Sequence, residues 1–219
     1  MITLQEVQKN EEVLSLLLGS QKQLNELGYT EHSIRHVGIV SRRAGKILED
    51  LGYSEERVEL AKIAGYLHDI GNCVNRIDHA QSGAILAYNI LKEMGMETNY
   101  RTEIMTAIGN HDEETGEPVS DISAALILAD KSDVHRDRVV NPNATKFHIH
   151  DRVNYAVTKA SLDLNNNNKV ITLDIQIDTN ICPVLDYFEI FLKRTMMSKY
   201  AAKYLNIWFE LVINGTRLL

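Results

Sequence analysis

The sequence predicts a mainly α-helical fold, with a helical bundle over residues 1–143 and a small β-β-α-β appendage over residues 144–219. Three observations carry this. Up to about Arg138 the apolar residues recur every three to four positions, the period of helices with one buried face. After Asn141-Pro142-Asn143, read as a turn or short linker, they alternate with polar residues, the period of strands. In the helical part, one inward stripe after another carries a histidine or an aspartate where an aliphatic residue belongs.

Taken in order, Leu4 to Leu27 reads as one or two helices with Val13, Leu16, Leu17 and Leu24 apolar and Gly28 closing them. Thr30 is the expected N-cap of the next helix, which ends near Gly52 and whose stripe of Val40, Ala44 and Ile47 is headed by His36. Ser54, followed by Glu55 and Glu56, opens a third. Its stripe of Leu60, Ala61, Ala64 and Leu67 continues into His68, with Asp69 about 100° further round. Gly71 is the expected C-cap. Asp78 and Gln81 have the spacing of a capping box, opening a helix that runs to Gly95 with His79, Gly83, Leu86 and Ile90 inward. A helix from about Asn99 presents Ile104, Ala107, Ile108 and then His111. Asp112 to Ser120, with Gly116 and Pro118, is a loop. From Asp121 the stripe Ile122, Ala125, Leu126 and Ala129 extends into Asp130 and Asp133.

In the appendage, Ala160, Leu162 and Leu164 alternate, four asparagines (Asn165 to Asn168) supply a turn, and Ile171, Leu173, Ile175 and Ile177 alternate again. That is a hairpin. Pro183 opens a helix to about Tyr204 with Leu185, Phe188, Leu192 and Met196 inward, and Ile207, Phe209, Leu211 and Ile213 form a last strand. The sheet edge left open by three strands is a natural contact for a homodimer, and the appendage is otherwise a lid over the inward histidines.

Composition narrows the function. With 219 residues the chain can bury a substantial core, and a net charge of -7 gives no general attraction for nucleic acid or an anionic membrane. Cys73 and Cys182 lack metal-ligand spacing and read as buried thiols. Glu6, Lys9, Glu11 and Glu12 precede any apolar run, unlike a signal peptide, and no stretch reaches the ~18 apolar residues of a membrane span. A cytoplasmic, reducing compartment is expected.

The inward polar residues are His36, His68 with Asp69, His79, His111 and Asp130. Burying two ionised carboxylates costs several kcal/mol each unless a cation answers them, and few lysines or arginines face inward. Four imidazoles and two carboxylates suit a divalent transition ion, iron or manganese before zinc, nickel or cobalt, better than calcium. Six ligands exceed the need of one ion with an open position, which points to two ions sharing Asp69.

In this order, His36, the His68-Asp69 pair and Asp130 resemble the H...HD...D signature of the HD-domain metal-dependent phosphohydrolases, over roughly residues 30 to 140. His79 and His111 resemble the added ligands of the binuclear members. The resemblance implies one ion on His36, His68, Asp69 and Asp130, and a second on Asp69, His79 and His111. It implies hydrolysis of a phosphate ester or anhydride of a nucleotide or similar small metabolite by water activated between the ions. Asn72 stands where many binuclear relatives have lysine, and His111 is followed by Asp112 where the cyclic-dinucleotide branch has a second histidine. Both departures point away from the cyclic-dinucleotide branch and towards the smaller nucleotide-hydrolase relatives.

Cations for the substrate come from the run after Asp130. Lys131, adjacent to a ligand, is assigned a catalytic role beside Asp69, and Arg136 and Arg138, with Asn72 and Arg76, are assigned to substrate binding. The solvated alternative pairs Asp133 with Arg136 and Asp137 with Arg138 at the surface. His32 reads as a rim residue; His135, His148 and His150 read as ordinary surface residues. Two other classes fit the same ligands: a diiron oxygenase, as in some members of the superfamily, and a metal-stabilised regulatory or binding module.

Overall fold

The computed structural model describes residues 1–31, 34–140 and 147–219. Its elements are α1 (Leu4–Lys9), α2 (Glu11–Glu26), α3 (Ile34–Asp50), α4 (Glu55–Leu67), α5 (His79–Glu93), α6 (Thr98–Gly109), α7 (Asp121–Lys131) and α8 (Ile149–Ala156). Strands β1 (Val157–Asn165) and β2 (Val170–Ile177), helix α9 (Val184–Tyr204) and strands β3 (Trp208–Ile213) and β4 (Thr216–Arg217) complete it. A short 3-10 turn, Ile70–Cys73, follows α4.

Helix α4 is central because both its faces are covered. Every residue from Leu60 to Leu67 except Lys62 is buried, and α3, α6 and α7 pack around it. The approach to α3 is backbone to backbone: a Cβ on Gly65 would lie 2.8 Å from Ser41 Cα, and Ser41 Oγ donates to Lys62 O at 2.8 Å. Arg57 near the start of α4 donates to Asp121 of α7 (Nε to Oδ2, 2.9 Å) and to Glu103 of α6, which locks the far ends of these helices together. Helix α7 is buried from Ile122 to Lys131, so a side chain placed at its end is held on all sides.

The appendage forms one sheet in the order β1-β2-β3-β4. The hairpin turns through the asparagine run as expected, with Leu162 opposite Leu173, and β3 lies parallel to β2 with Leu173 opposite Leu211. Helix α9 makes the crossover between those parallel strands and packs on both β3 and α7. The buried Ile171, Leu173, Ile175 and Ile177 of β2 and Phe209, Leu211 and Ile213 of β3 give the sheet one core-facing side.

Several expectations are corrected. Glu31 is non-helical, so Thr30 does not cap α3. Helix α4 ends at Leu67 with His68 as its C-cap, and Gly71 sits inside the 3-10 turn. Its role is close approach: a Cβ there would lie 2.0 Å from His79 O and 2.5 Å from Gly83 N of α5. Asp78 precedes α5 in a left-handed conformation (φ 57°) without a side-chain cap, so there is no capping box, and Gln81 donates to Thr115 Oγ1 at 3.1 Å. Helix α8 has no counterpart in the sequence reading, and β4 makes the sheet four-stranded. On α9 the buried residues are Tyr187, Phe191, Thr195 and Ser198 among others, while Leu185 and Leu192 are exposed. The inward face is rotated by about one residue, to the side that packs on α7 and β3. Cys73 is half-buried. The turn assigned to Asn141-Pro142-Asn143, and His32, lie outside the described residues.

Candidate metal centre

All six proposed ligands converge. His36 comes from the first turn of α3, His68 from the cap of α4, and Asp69 from the next residue, whose φ of -100° and ψ of 2° take it out of the helix. His79 opens α5, His111 lies two residues past the end of α6, and Asp130 is the penultimate residue of α7. Each is at most 5 % exposed. Ligand atoms of His36, His68 and Asp130 lie within 4.8 Å of one another, as do those of His68, Asp69 and His111. His79 Nε2 joins them, 3.2 Å from His111 Nε2 and 3.6 Å from Asp69 Oδ1.

Each histidine is anchored through the same nitrogen. Nδ1 of His68 donates to Gly65 O at 2.9 Å, that of His79 to Arg76 O at 3.1 Å, and that of His111 to Ile108 O at 2.6 Å. The three carbonyls are each three residues back in the chain, and they are oxygens that helix ends or turns leave available. His36 Nδ1 lies 2.7 Å from Asp133 Oδ2. A proton on Nδ1 leaves a lone pair on Nε2, and all four Nε2 atoms point to one place. That arrangement is unfavourable without a cation, since the Nε2 atoms of His79 and His111 face each other at 3.2 Å. His68 Nε2 is buried, makes no hydrogen bond, and faces the Asp69 and Asp130 carboxylates at 3.4 and 3.7 Å. The donor set therefore fits divalent transition ions, with each imidazole oriented by a partner behind it.

The local electrostatics agree. Burial pushes the His111 imidazole well below its ordinary pKa, helped by the neighbouring His68 and His79, which keeps it neutral as a ligand must be. Burial also lowers His79. For His68 burial pulls downward, but the Asp69 and Asp130 carboxylates outweigh it and the group is raised. Asp130 is held well below the carboxylate range because Lys131, with His36 and His68, overcomes the cost of its burial.

Four members of the cluster, Asp69, His79, His111 and Asp130, line a cavity of about 300 Å³, which His36 and His68 do not reach. Its lining also includes Arg76, Lys131 and Arg138, His148 just before α8, His150 and Asn154 of α8, and Phe191 and Arg194 of α9. Lys131 Nζ pairs with Asp130 Oδ2 at 2.7 Å and with Glu113. Arg76 Nη1 donates to Asn72 Oδ1 at 3.1 Å and lies 3.3 Å from His79 Nε2, placing positive charge beside that lone pair.

Three assignments change. Asn72 is fully buried and does not line the cavity; its amide donates to Asp69 Oδ1 at 2.8 Å and to Asp69 O at 3.0 Å, so it orients Asp69. Arg136 is outside the cavity, stacked over Tyr155 at 5.4 Å. Asp133 is not a surface partner of Arg136 but the buried carboxylate behind His36, held well below its usual range because His36, Arg138 and Arg35 outweigh its burial. Arg138 lines the cavity but spends its donors on Glu31 O (2.9 and 3.1 Å) and Asp133 O (2.8 Å). His148 and His150, read as surface residues, are exposed and also line the cavity. Sequence reasoning missed Arg194; a single charged residue on a helix distant in the chain carries no periodic signal.

Such a bundle, gathering four imidazoles and two carboxylates at one buried point, defines a metal-binding helical domain. The chain belongs to the HD domain family, whose model matches residues 30–161. It is 31% identical over 182 residues to the uncharacterized protein MJ1020 of Methanocaldococcus jannaschii, covering 72% of this chain and 68% of that one. It is 37% identical over 114 residues to Ribonuclease Y of Lawsonia intracellularis, covering 51% of this chain but only 19% of that protein. A crystal structure of a predicted HD superfamily hydrolase from an uncultured Thermotogales bacterium aligns with a TM-score of 0.47 at 28% identity, over 61% of this chain and 75% of that one.

Proposed function

We propose that the protein is a metal-dependent phosphohydrolase that cleaves a phosphate ester or anhydride of a nucleotide or similar small metabolite. The observation that carries this reading is the convergence of four Nδ1-anchored imidazoles and two carboxylates beside a cavity that Asp69, His79, His111 and Asp130 line together with Arg76, Lys131 and Arg194. Metal ligands and cationic side chains are the two requirements of phosphoryl transfer to water. His36, His68, Asp69 and Asp130 would hold one divalent ion, iron or manganese first, and Asp69, His79 and His111 a second. Bound there, such ions polarise phosphoryl oxygens and make water a competent nucleophile at neutral pH.

The chain's own residues do the rest. Asn72 fixes the rotamer of Asp69 so that both carboxylate oxygens face the histidines. Lys131 balances charge that develops on the phosphoryl group, and Arg76, held by neutral groups (Asn72, His79 and the ring of Tyr29), keeps its charge for an anion. The cavity volume suits a mononucleotide-sized molecule better than a polymer. The segment 144–219 acts as a wall of the site, and the similarity to Ribonuclease Y favours phosphate-ester chemistry without extending to its substrate.

The test is metal content and turnover together. Protein purified without oxygen or added metal is expected to carry about two ions per chain and to release phosphate from members of a nucleotide panel. No hydrolysis by the metal-replete protein, or oxygen uptake in its place, would overturn the reading. Among the described residues no helix is long and apolar enough to cross a membrane. A cytoplasmic homodimer completes the proposal; a monomer at all concentrations in light scattering would remove the dimer.

A further inference from the structure

Helix α9 lies outside the residues that match the HD family model, yet it sends one charged side chain to the metal-ligand cluster. Arg194 lines the cavity with its side chain only 14% exposed. Its aliphatic and guanidinium parts stack beside Phe191, whose ring centre is 5.0 Å away. Among the described residues, one of its five N–H donors makes a long hydrogen bond, Nη2 to Asp130 O at 3.4 Å, and Nε makes none. The nearest carboxylate oxygens are Glu113 Oε1 at 3.7 Å and Asp130 Oδ1 at 3.9 Å, beyond hydrogen-bond reach.

A buried guanidinium left this poorly satisfied is costly, and a leucine or methionine would dock α9 on α7 at less expense. The surroundings show what it is for. Glu113 reaches into the same space with Oε2 on Lys131 and Oε1 towards Arg194, so one carboxylate already lies between the two cations. The Asp130 carboxylate oxygen nearest to Arg194, Oδ1, is also the one 3.3 Å from His36 Nε2. An oxyanion held by Arg194 would therefore stand next to the metal-binding point.

We propose that Arg194 is a substrate-binding residue: a phosphate anchor, delivered by the C-terminal segment, whose planar fork takes two unesterified oxygens of the substrate while Lys131 takes charge from the other side. Glu113 competes with the substrate for both cations and yields to it. This deepens the phosphohydrolase reading and rests on it for the identity of the substrate, but the anchor itself can be tested by binding alone.

Inorganic phosphate is the probe, titrated calorimetrically into the full chain loaded with Mn²⁺. Arg194→Gln is expected to weaken phosphate binding about 10- to 100-fold at unchanged metal content, the size of a lost charge-assisted hydrogen bond. Arg194→Lys recovers part of it, and Lys193→Ala, an exposed residue paired with Glu114, leaves it unchanged. A folded Arg194→Gln variant that binds phosphate as the wild type does, or a wild type that binds none, overturns the anchor. Should Arg194→Gln not fold, Glu113→Gln decides: it must bind phosphate several-fold more tightly, and an unchanged affinity overturns the proposal. Phosphate held through Arg194 by a chain that hydrolyses no phosphate compound sinks the proposed reaction and leaves the anchor. Hydrolysis with a phosphate affinity indifferent to Arg194 does the reverse.

Discussion

Asp133→Asn tests whether the carboxylate behind His36 sets the metal affinity of the centre. Asp133 is 3% exposed, with Oδ2 2.7 Å from His36 Nδ1 and 3.9 Å from Arg138 Nε. Asparagine keeps an acceptor oxygen for the Nδ1 proton but removes the charge that makes His36 a stronger electron donor. Losing such a partner lowers metal affinity by about 10- to 100-fold, or about 1.4–2.7 kcal/mol. The metal-free fold also weakens, because Arg138 is buried beside the lost charge. Breaking a buried pair costs about 3–5 kcal/mol, but Arg138 keeps its bonds to Glu31 O and Asp133 O, so about 2 kcal/mol is expected. For a chain of this size that lowers Tm by about 4–8 °C. Competition with a chromophoric chelator reads the affinity, and calorimetry of the metal-free protein reads the stability. A folded Asp133→Asn variant with wild-type metal affinity would refute the reasoning, whatever its Tm.

Four further outcomes follow from the same geometry. His68→Ala or Asp69→Ala abolishes metal retention and turnover, measured by elemental analysis and phosphate release; full activity in Asp69→Ala would sink the mechanism. Lys131→Ala keeps the metals and lowers turnover by about 10²-fold or more, since it removes a cation next to Asp130; loss of metal instead would make Lys131 a structural residue. Gly71→Ala is expected to cost more than about 3 kcal/mol and to displace His79, because the added methyl meets the backbone of α5, whereas Gly19→Ala in the exposed middle of α2 stabilises by up to about 1 kcal/mol. Equal Tm values for the two variants would count against the close approach of the 3-10 turn and α5. Glu113 is held at about 2, burial notwithstanding, by Lys131 and Arg194. Its folded pKa lies below the unfolded one, so its contribution, on the order of 3 kcal/mol, is present above about pH 4.5 and lost as pH falls towards about 2. Glu113→Gln should flatten that part of the acid unfolding curve of the metal-free protein, and an unchanged acid limb would show that Glu113 is not ionised by its partners.

What the sequence by itself determined is whatever repeats with the period of a helix or a strand. His36, His68, His79, His111 and Asp130 stood out because each interrupts an apolar stripe, and an interrupted stripe names a residue on a buried face without knowledge of the neighbour. The hairpin was legible for the same reason. Which faces meet is not written in any period. Asp133 reaches His36 across 97 positions, Arg194 reaches Asp130 across 64, and Glu113 reaches Lys131 across 18. These contacts exist only because α3, α7 and α9 pack side by side. The inward face of α9 was misjudged because apolar side chains lie on both sides of it: Leu185 and Leu192 are exposed, while Tyr187, Phe191, Thr195 and Ser198 fit against the bundle. Gly71 showed the same limit: a glycine after a helix reads locally as a cap, but here the absent Cβ serves a neighbour eight residues on, whose carbonyl occupies its place. Local periodicity therefore revealed the candidate ligands, and tertiary packing decided what orients them, what charge surrounds them and which segment lies against them.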